Sequence, residues 1–185
     1  MRWCFATVPA HYGLLSLVTG IAVAQALQVR GLHGHGLKWP NDLYHDGRKL
    51  GGILLQTAQP LQQVVIGIGL NVNMLPEQVE GLAIDQPWTS LVAALGRSED
   101  RHALLATLLE QLIPALQAFP QLDAAEFSRN WTQWDLLAGR TVRVQDGMNI
   151  VHGQAQGLDA QGQLQLLTAD GQLRSFAAAD VSVRW

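Results

Sequence analysis

Short strand-like segments, separated by tight turns, follow one another from residue 37 to residue 73. Residues 37–43 contain one short strand, and residues 49–57 and 63–73 are rich in apolar and β-branched side chains. The dipeptide Asp46-Gly47 is a strong hairpin signal, and Gln59-Pro60 interrupts the pattern before the last segment. Because strands joined by short connections pair with their neighbours, we expect consecutive strands of one sheet.

Helical patterns occur on both sides of these strands. Residues 13–29 carry apolar side chains at helical spacing, among them Leu14, Leu17 and Val18. Three more helices are predicted after the strands: one over 89–96 capped by Thr89, one over 98–119 that Pro114 should kink or end early, and one over 123–134 opened by Asp123 and Glu126. The strands and helices together predict an α+β domain with a mixed sheet over residues 1–137.

The pattern changes at Gly139. Residues 141–144 and 163–166 alternate polar and apolar side chains, and turn signals recur at Asp146-Gly147, at 159–162 and at Asp170-Gly171. Five short strands in so few residues are typical of a small β-barrel or sandwich. We therefore place a second domain over residues 138–185.

Composition excludes several classes of protein. The net charge is −3 and no basic tract is present, so a nucleic-acid surface is not expected. The single cysteine, Cys4, cannot form an internal disulfide, which favours a reducing, cytoplasmic compartment. Residues 14–27 are apolar but too short and too polar to span a membrane, so they predict a buried amphipathic helix. His33 and His35 lack further ligands at metal-binding spacing and indicate a solvated loop.

The distribution of cations is uneven. The chain has ten arginines and two lysines, and both lysines, Lys38 and Lys49, fall within twelve residues. Arginine and lysine are not interchangeable where a compact ammonium charge is needed. This bias indicates where a functional site would lie.

Three motifs lie in and beside that stretch: Lys38-Trp39-Pro40-Asn41-Asp42-Leu43, Lys49-Leu50-Gly51-Gly52-Ile53-Leu54 and Gly67-Ile68-Gly69-Leu70-Asn71-Val72-Asn73. The two ammonium groups suit a carboxylate or phosphates, and Asp42 could hold a metal ion or take a proton from an amine. Gly51 and Gly52 expose backbone amides beside Lys49. Gly67 and Gly69 would let a flat ring pack on a strand, and Asn71 can donate and accept at an adenine edge.

In order and spacing, the three motifs resemble those of biotin protein ligase, the enzyme that biotinylates acetyl-CoA carboxylase. Thr89-Ser90-Leu91, the helices after it and the C-terminal strands are similar to this family too. The resemblance implies a class II synthetase-like catalytic domain and a C-terminal SH3-like barrel. It implies a cytoplasmic ligase that forms biotinyl-adenylate from biotin and ATP, with Mg²⁺. The biotin then passes to a lysine of a carrier domain.

The resemblance also implies roles for individual residues. Lys49 would contact the biotin carboxylate and later the acyl phosphate, and Asp42 would position or activate the incoming amine. Lys38 and Asn41 would serve the phosphates and Mg²⁺, without a dedicated protein metal site. The walls of the biotin and adenine pocket would come from Gly51, Gly52, Ile53, Gly67, Gly69 and Asn71.

Family members carry a glycine- and arginine-rich phosphate loop upstream of these motifs, and some carry an N-terminal DNA-binding helix-turn-helix. This sequence shows neither, so we expect a shortened ligase that does not bind DNA. Three alternatives stay open: a non-catalytic remnant that binds biotin, the adenylate or a carrier protein; a lipoate-type ligase; and a half-site completed by another chain, for instance as a homodimer.

Overall fold

The first of two sheets contains the predicted consecutive strands. The computed structural model describes residues 1–58, 62–78, 86–178 and 181–184. The strand order in this sheet is β1-β5-β4-β3-β2. Its strands are β1 (Arg2–Cys4), β2 (His35–Lys38), β3 (Asp42–His45), β4 (Arg48–Ala58) and β5 (Gln63–Leu70).

Neighbouring strands of this sheet are antiparallel throughout. The sequence predicted a mixed sheet, but within the described residues the parallel pairings are two isolated bridges, Leu37 with Asp135 and Lys49 with Trp88. Short connections explain the difference, because a tight turn returns the chain beside the strand it has just left. The α+β class itself is confirmed.

The turns of this sheet follow local sequence signals. Asp46 and Gly47 adopt φ values of 49° and 70°, as the two central positions of a type I′ hairpin require. Residues 37–43 were predicted to hold one strand, yet they belong to two, β2 and β3. Trp39-Pro40-Asn41 turns the chain between them, with a cis bond between Trp39 and Pro40.

The α-helices of the described residues are α1 (Leu15–Val29), α2 (Leu91–Leu95), α3 (Arg101–Ala118) and α4 (Ala124–Thr132). Helix α1 packs on this sheet, and α3 and α4 pack on α1. The predicted burial of α1 is confirmed, but the helix is not amphipathic, because most of its surface is buried. Small residues make this possible: a Cβ at Gly20 would lie 3.3 Å from Leu37 Cδ2. Segments 12–29 and 101–121 are apolar enough to cross a membrane by composition, but 67% of the first is buried inside the protein.

Helix boundaries are close to the predicted ones. Ser90, not Thr89, caps α2, and its hydroxyl accepts a bond from the Ala93 N–H. The helix α3 starts after its cap Asp100 and continues through Pro114. The cap at Asp123 is confirmed, since its carboxylate accepts the Glu126 N–H at 2.8 Å.

The second sheet has the strand order β10-β6-β7-β8-β9 and confirms the predicted five strands and SH3-like unit. Its interior contains Val142, Val144, Leu164 and Leu166, all at most 1% exposed. These residues join the buried residues of the first sheet in one apolar cluster, and the division at residue 138 stays a prediction. The strands are β6 (Thr141–Asp146), β7 (Asn149–Leu158), β8 (Leu164–Thr168), β9 (Leu173–Phe176) and β10 (Val181–Arg184).

Candidate active site

A β-bulge decides where Lys49 points. Leu43 pairs with Gly51 but Tyr44 pairs with Lys49, so strand β4 carries one extra residue, Leu50. Regular alternation would put Lys49 and Gly52 on opposite faces of the sheet. The extra residue turns Lys49 onto the face of Gly52, as bulges near functional sites commonly do. Leu50 itself is fully buried.

The backbone of Lys49 is held from outside the sheet. Its N–H donates to the Pro87 carbonyl, and its carbonyl accepts the Thr89 N–H, both at 2.9 Å. A segment far along the chain therefore satisfies both backbone groups of Lys49, which lies before the part of β4 that pairs with β5. It also fixes the direction of the lysine side chain.

Lys49 forms an ion pair with Asp42. The Lys49 Nζ lies 2.7 Å from Asp42 Oδ1, and the two side chains keep 28% and 20% of their surface exposed. Both charged groups can thus be reached by a ligand while they hold each other in position. A cation can bind an anionic ligand, and an adjacent carboxylate can take a proton, so the pair combines charge stabilisation with acid–base chemistry.

Beside this pair lies a floor without side chains. Asp42 pairs laterally with Gly52, and Gly52 pairs with Gly69, so the three positions form a row on one face of strands β3, β4 and β5. Two positions further along, Gly67 pairs with Leu54, whose side chain is 62% exposed. A flat ring can therefore lie directly on the backbone between Asp42 and Leu54.

The glycines of the two motifs are required for different reasons. A Cβ at Gly51 would lie 2.3 Å from the Gly69 carbonyl oxygen, so sheet packing itself requires glycine there. At Gly67 and Gly69 the nearest atoms would be 3.4 Å and 3.8 Å away, which leaves room for a methyl group. Packing alone does not explain the last two, which supports a ligand-facing role for them. A Cβ at Gly52 would lie 3.1 Å from Asp42 Oδ1.

Lys38 lies at the end of this row, because it pairs with Asp42 across β2 and β3 and is therefore on the same face of the sheet. Its side chain is buried, its Nζ is 3.5 Å from the Tyr44 hydroxyl, and the ammonium lies 5.1 Å from the centre of the Tyr44 ring. Burial lowers the pKa of Lys38 from 10.5 to about 8, although the nearby Asp42 carboxylate opposes the shift. Arg184 and Lys49 lower it further. Burial of the Lys38 ammonium lowers the stability of the folded protein. Such a cost is typical of residues that are retained for function.

Replacing Lys38 with methionine should therefore stabilise the fold at pH 7, by about 1 kcal/mol, since an apolar chain of similar length replaces a buried charge. The wild-type protein should also gain stability as the pH rises from about 8 towards 10, because only the unfolded chain then keeps this proton. Urea unfolding at several pH values checks both effects, with Arg48→Met as an exposed control. A destabilised Lys38→Met protein with an unchanged pH slope would contradict the assignment.

The asparagines of the motifs are held by the backbone. The side-chain amide of Asn41 donates to the Ile53 backbone carbonyl at 2.9 Å, and the backbone carbonyl of Asn41 accepts the Ile53 N–H at 2.8 Å. The Asn71 amide donates to the Thr89 carbonyl at 2.9 Å. The Asn73 side chain donates to the Glu99 backbone carbonyl and accepts the Glu99 N–H, so it has a structural role. Asn41 and Asn71 thus shape the site, whatever else they contact.

One cavity of about 710 Å³ brings together every predicted site residue except Lys38. It also has walls that the motifs did not indicate. Trp88 is one of them, and its bridge to Lys49 depends on a contact that no local pattern encodes. The lining residues that sequence reasoning missed are Leu54, Ile68, Leu70, Met74, Gln86 and Trp88.

The histidine pair turned out differently from the predicted solvated loop. His33 is exposed, but His35 is buried and packs on the Trp134 ring. Its Nε2 lies 2.8 Å from the Ala24 carbonyl oxygen. Since a carbonyl only accepts, Nε2 carries the proton. Burial lowers the pKa of His35. This side chain belongs to the core.

Comparison with known proteins gives two family matches. Residues 6–71 match the Biotin/lipoate A/B protein ligase family, and residues 138–184 match the Biotin protein ligase C terminal domain. The first match includes the whole row of motif residues described above. The second coincides with the C-terminal sheet.

Individual relatives agree with these matches. The bifunctional ligase/repressor BirA of Escherichia coli is 36% identical over 185 residues, which is 100% of this chain and 57% of the relative. The biotin–[acetyl-CoA-carboxylase] ligase of Mycobacterium tuberculosis is 40% identical over 163 residues, 83% of this chain and 56% of the relative. The chain therefore spans a little over half the length of these curated relatives.

Solved structures show the same architecture. The biotin protein ligase of Aquifex aeolicus superposes with a TM-score of 0.81 at 28% identity, covering 99% of this chain and 81% of that one. The same protein in complex with biotin and ATP gives a TM-score of 0.79 and covers 92% and 70%. Both structures extend beyond the segment that this chain matches.

Proposed function

Because the chain belongs to the biotin protein ligase family, we propose that its cavity takes biotin and ATP and that its residues serve biotinyl transfer. The proposed product is a biotinylated lysine on a carrier domain of acetyl-CoA carboxylase. The single observation that carries the proposal is the Lys49–Asp42 ion pair at the edge of the glycine floor. The proposed setting is the cytoplasm, and a homodimer is compatible with it.

In the first step, a biotin carboxylate oxygen would attack the α-phosphorus of ATP, and pyrophosphate would leave. Lys49 would hold the carboxylate with its ammonium group and then stabilise the negative charge that grows on the phosphate oxygens. The ureido ring of biotin would lie on the backbone of Gly52 and Gly69. Asn71 lines the same cavity and is placed to meet biotin or the adenine.

In the second step, the acceptor amine would attack the acyl carbon, and AMP would leave with the electrons of the broken acyl–phosphate bond. The amine must lose a proton to do so. Asp42 is the acidic residue among the described residues of the cavity wall, so it would orient the amine and take the proton. Its contact with Lys49 holds the carboxylate in place.

The phosphates and Mg²⁺ would lie on the side of Lys38, Asn41 and Asp42. One carboxylate together with phosphate oxygens is a donor set that Mg²⁺ favours, and the ion would neutralise phosphate charge. Lys38 would contribute positive potential from its buried position beside Asp42. Asn41 would keep the turn in place through Ile53.

The decisive experiment is biotin- and ATP-dependent modification of a purified carrier domain by this 185-residue chain, read by intact-mass spectrometry. Label on the carrier lysine would support a ligase. A second reaction supplies preformed biotinyl-adenylate in place of biotin and ATP. Transfer from the adenylate alone would support the acyl-transfer half of the proposal and overturn adenylation by this chain. Neither transfer nor adenylate binding by calorimetry would favour a non-catalytic remnant.

A further inference from the structure

The two sheets meet at a tryptophan of the first motif. The indole N–H of Trp39 donates to the Gly162 carbonyl at 2.9 Å, although the two residues are 123 positions apart. The Trp39 side chain is only 1% exposed. It stands directly between Lys38 and the Pro40-Asn41 turn, so its anchor point is part of the site's framework.

The anchor belongs to a turn between β7 and β8 that several hydrogen bonds hold together. The Asp159 carboxylate accepts the backbone N–H groups of Gln161 and Gln163, each at 2.9 Å. The Gly162 N–H donates to the Asp159 carbonyl, and the Asp159 N–H donates to the Gln163 carbonyl, both at 3.0 Å. Gly162 has a φ of 77°, which favours glycine. Asp159 therefore fixes the direction of the carbonyl that Trp39 uses.

This turn fits closely against α1 and the residues that precede it. A Cβ on Gly162 would lie 2.5 Å from Leu14 Cδ2 and 2.8 Å from Leu17 Cδ1. The turn cannot approach further, and the indole hydrogen bond keeps it from moving away. The position of Trp39 is thus set by the C-terminal sheet and by α1 together.

On its other side the same motif is fixed to strand β4. Asn41 binds Ile53 through both its carbonyl and its amide. Lys38 pairs with Asp42 across β2 and β3, so the lysine lies between the two fixed points. Any displacement of Trp39 would be transmitted to the neighbouring Lys38, whose ammonium is buried against Tyr44.

We propose that the turn over residues 159–163 is a positioning element of the site: through the Trp39 indole it keeps Lys38 buried beside Asp42, at the end of the row that forms the cavity floor. Asp159 and Trp39 are then positioning residues, because neither one lines the main cavity among its described residues. The C-terminal sheet acts on the site through this hydrogen bond and close fit, in addition to the charge of Arg184 near Lys38. The inference concerns the placement of Lys38 and does not depend on the proposed ligase activity.

Because the chain contains two lysines, Lys38 and Lys49, the accessibility of Lys38 can be measured by lysine labelling with Lys49 as an internal reference. Brief acetylation with acetic anhydride at fixed pH, followed by peptide mass spectrometry, gives the labelling rates of Lys38 and Lys49 in one sample. In the wild-type chain the buried Lys38 should react far more slowly than the partly exposed Lys49. Asp159→Ala should raise the Lys38 rate by about fivefold or more and leave the Lys49 rate unchanged, because loss of one anchoring bond increases local opening.

Asp170→Ala is the matched control. Asp170 organises the β8–β9 turn in the same way, accepting from the Thr168 hydroxyl and from the Gln172 N–H, and it bonds no first-sheet residue among those described. If Asp159→Ala and Asp170→Ala raise Lys38 labelling equally, the turn is merely stabilising and the proposal is overturned. If neither changes it, the proposal is overturned as well.

Trp39→Phe covers the case in which Asp159→Ala does not fold. Phenylalanine fills most of the apolar site but has no N–H to donate to Gly162. We expect the same selective rise in Lys38 labelling. An unchanged Lys38 rate in a folded Trp39→Phe protein would show that the indole bond does not position the lysine.

Discussion

Lys49→Ala should lower the rate of biotin-dependent pyrophosphate release by at least about a hundredfold. The substitution deletes the cation that would neutralise the biotin carboxylate and the charge that develops on the phosphate. The fold should tolerate the change. The Lys49 side chain is 28% exposed, and ion pairs with that much solvent access contribute about 1 kcal/mol or less. Circular dichroism and urea unfolding would accompany the rate measurement.

The control is Arg48→Ala, which removes the preceding, exposed cation of the same strand. Lys49→Arg adds a sharper comparison, since a planar guanidinium cannot replace a compact ammonium opposite Asp42. If the wild-type chain does not turn over, calorimetric affinity for preformed biotinyl-adenylate is the readout for the same three variants. A wild-type rate or a wild-type affinity in Lys49→Ala would contradict the role proposed for Lys49 in binding the carboxylate and the phosphate.

Local signals predicted much of the fold. The Asp46-Gly47 turn, the cap at Asp123 and the five C-terminal strands each depend on a few neighbouring residues, and all are present. One residue of uncertainty at helix ends, as between Thr89 and Ser90, reflects adjacent hydroxyls that can both serve as caps. The interruption predicted at Gln59-Pro60 lies outside the described residues.

The site was predictable as a set of residues but not as a geometry. The motifs identified the residues that meet in one cavity, since their spacing places them on adjacent strands. They gave no sign of the bulge at Leu50 or of the backbone bonds that join Lys49 to Pro87 and Thr89, about forty positions later. The burial of Lys38 likewise depends on Tyr44 and on the packing around Trp39, which are tertiary features.

Gly69→Ala and Gly51→Ala should separate a ligand-facing glycine from a packing glycine. A methyl group on Gly69 would have its nearest neighbour, the Gly52 carbonyl oxygen, at 3.8 Å, an ordinary contact. We expect its unfolding free energy to stay within about 0.5 kcal/mol of the wild-type value. Its affinity for biotinyl-adenylate should fall by about tenfold or more, because the methyl would occupy the surface on which the ring packs.

Gly51→Ala should show the opposite result. Its methyl would lie 2.3 Å from a backbone oxygen of β5 and 2.8 Å from Leu70 Cδ2, and a paired strand cannot move away without breaking its ladder. We expect a loss of about 3 kcal/mol in unfolding free energy from this overlap. Urea unfolding and calorimetry on both variants check the pair. A stable Gly51→Ala protein would contradict the β4–β5 register. Wild-type affinity in Gly69→Ala would contradict the proposal that the ring of the ligand packs on the glycine floor. The two glycines lie one residue and one strand apart, so the pair tests the geometry of the site independently of its charges.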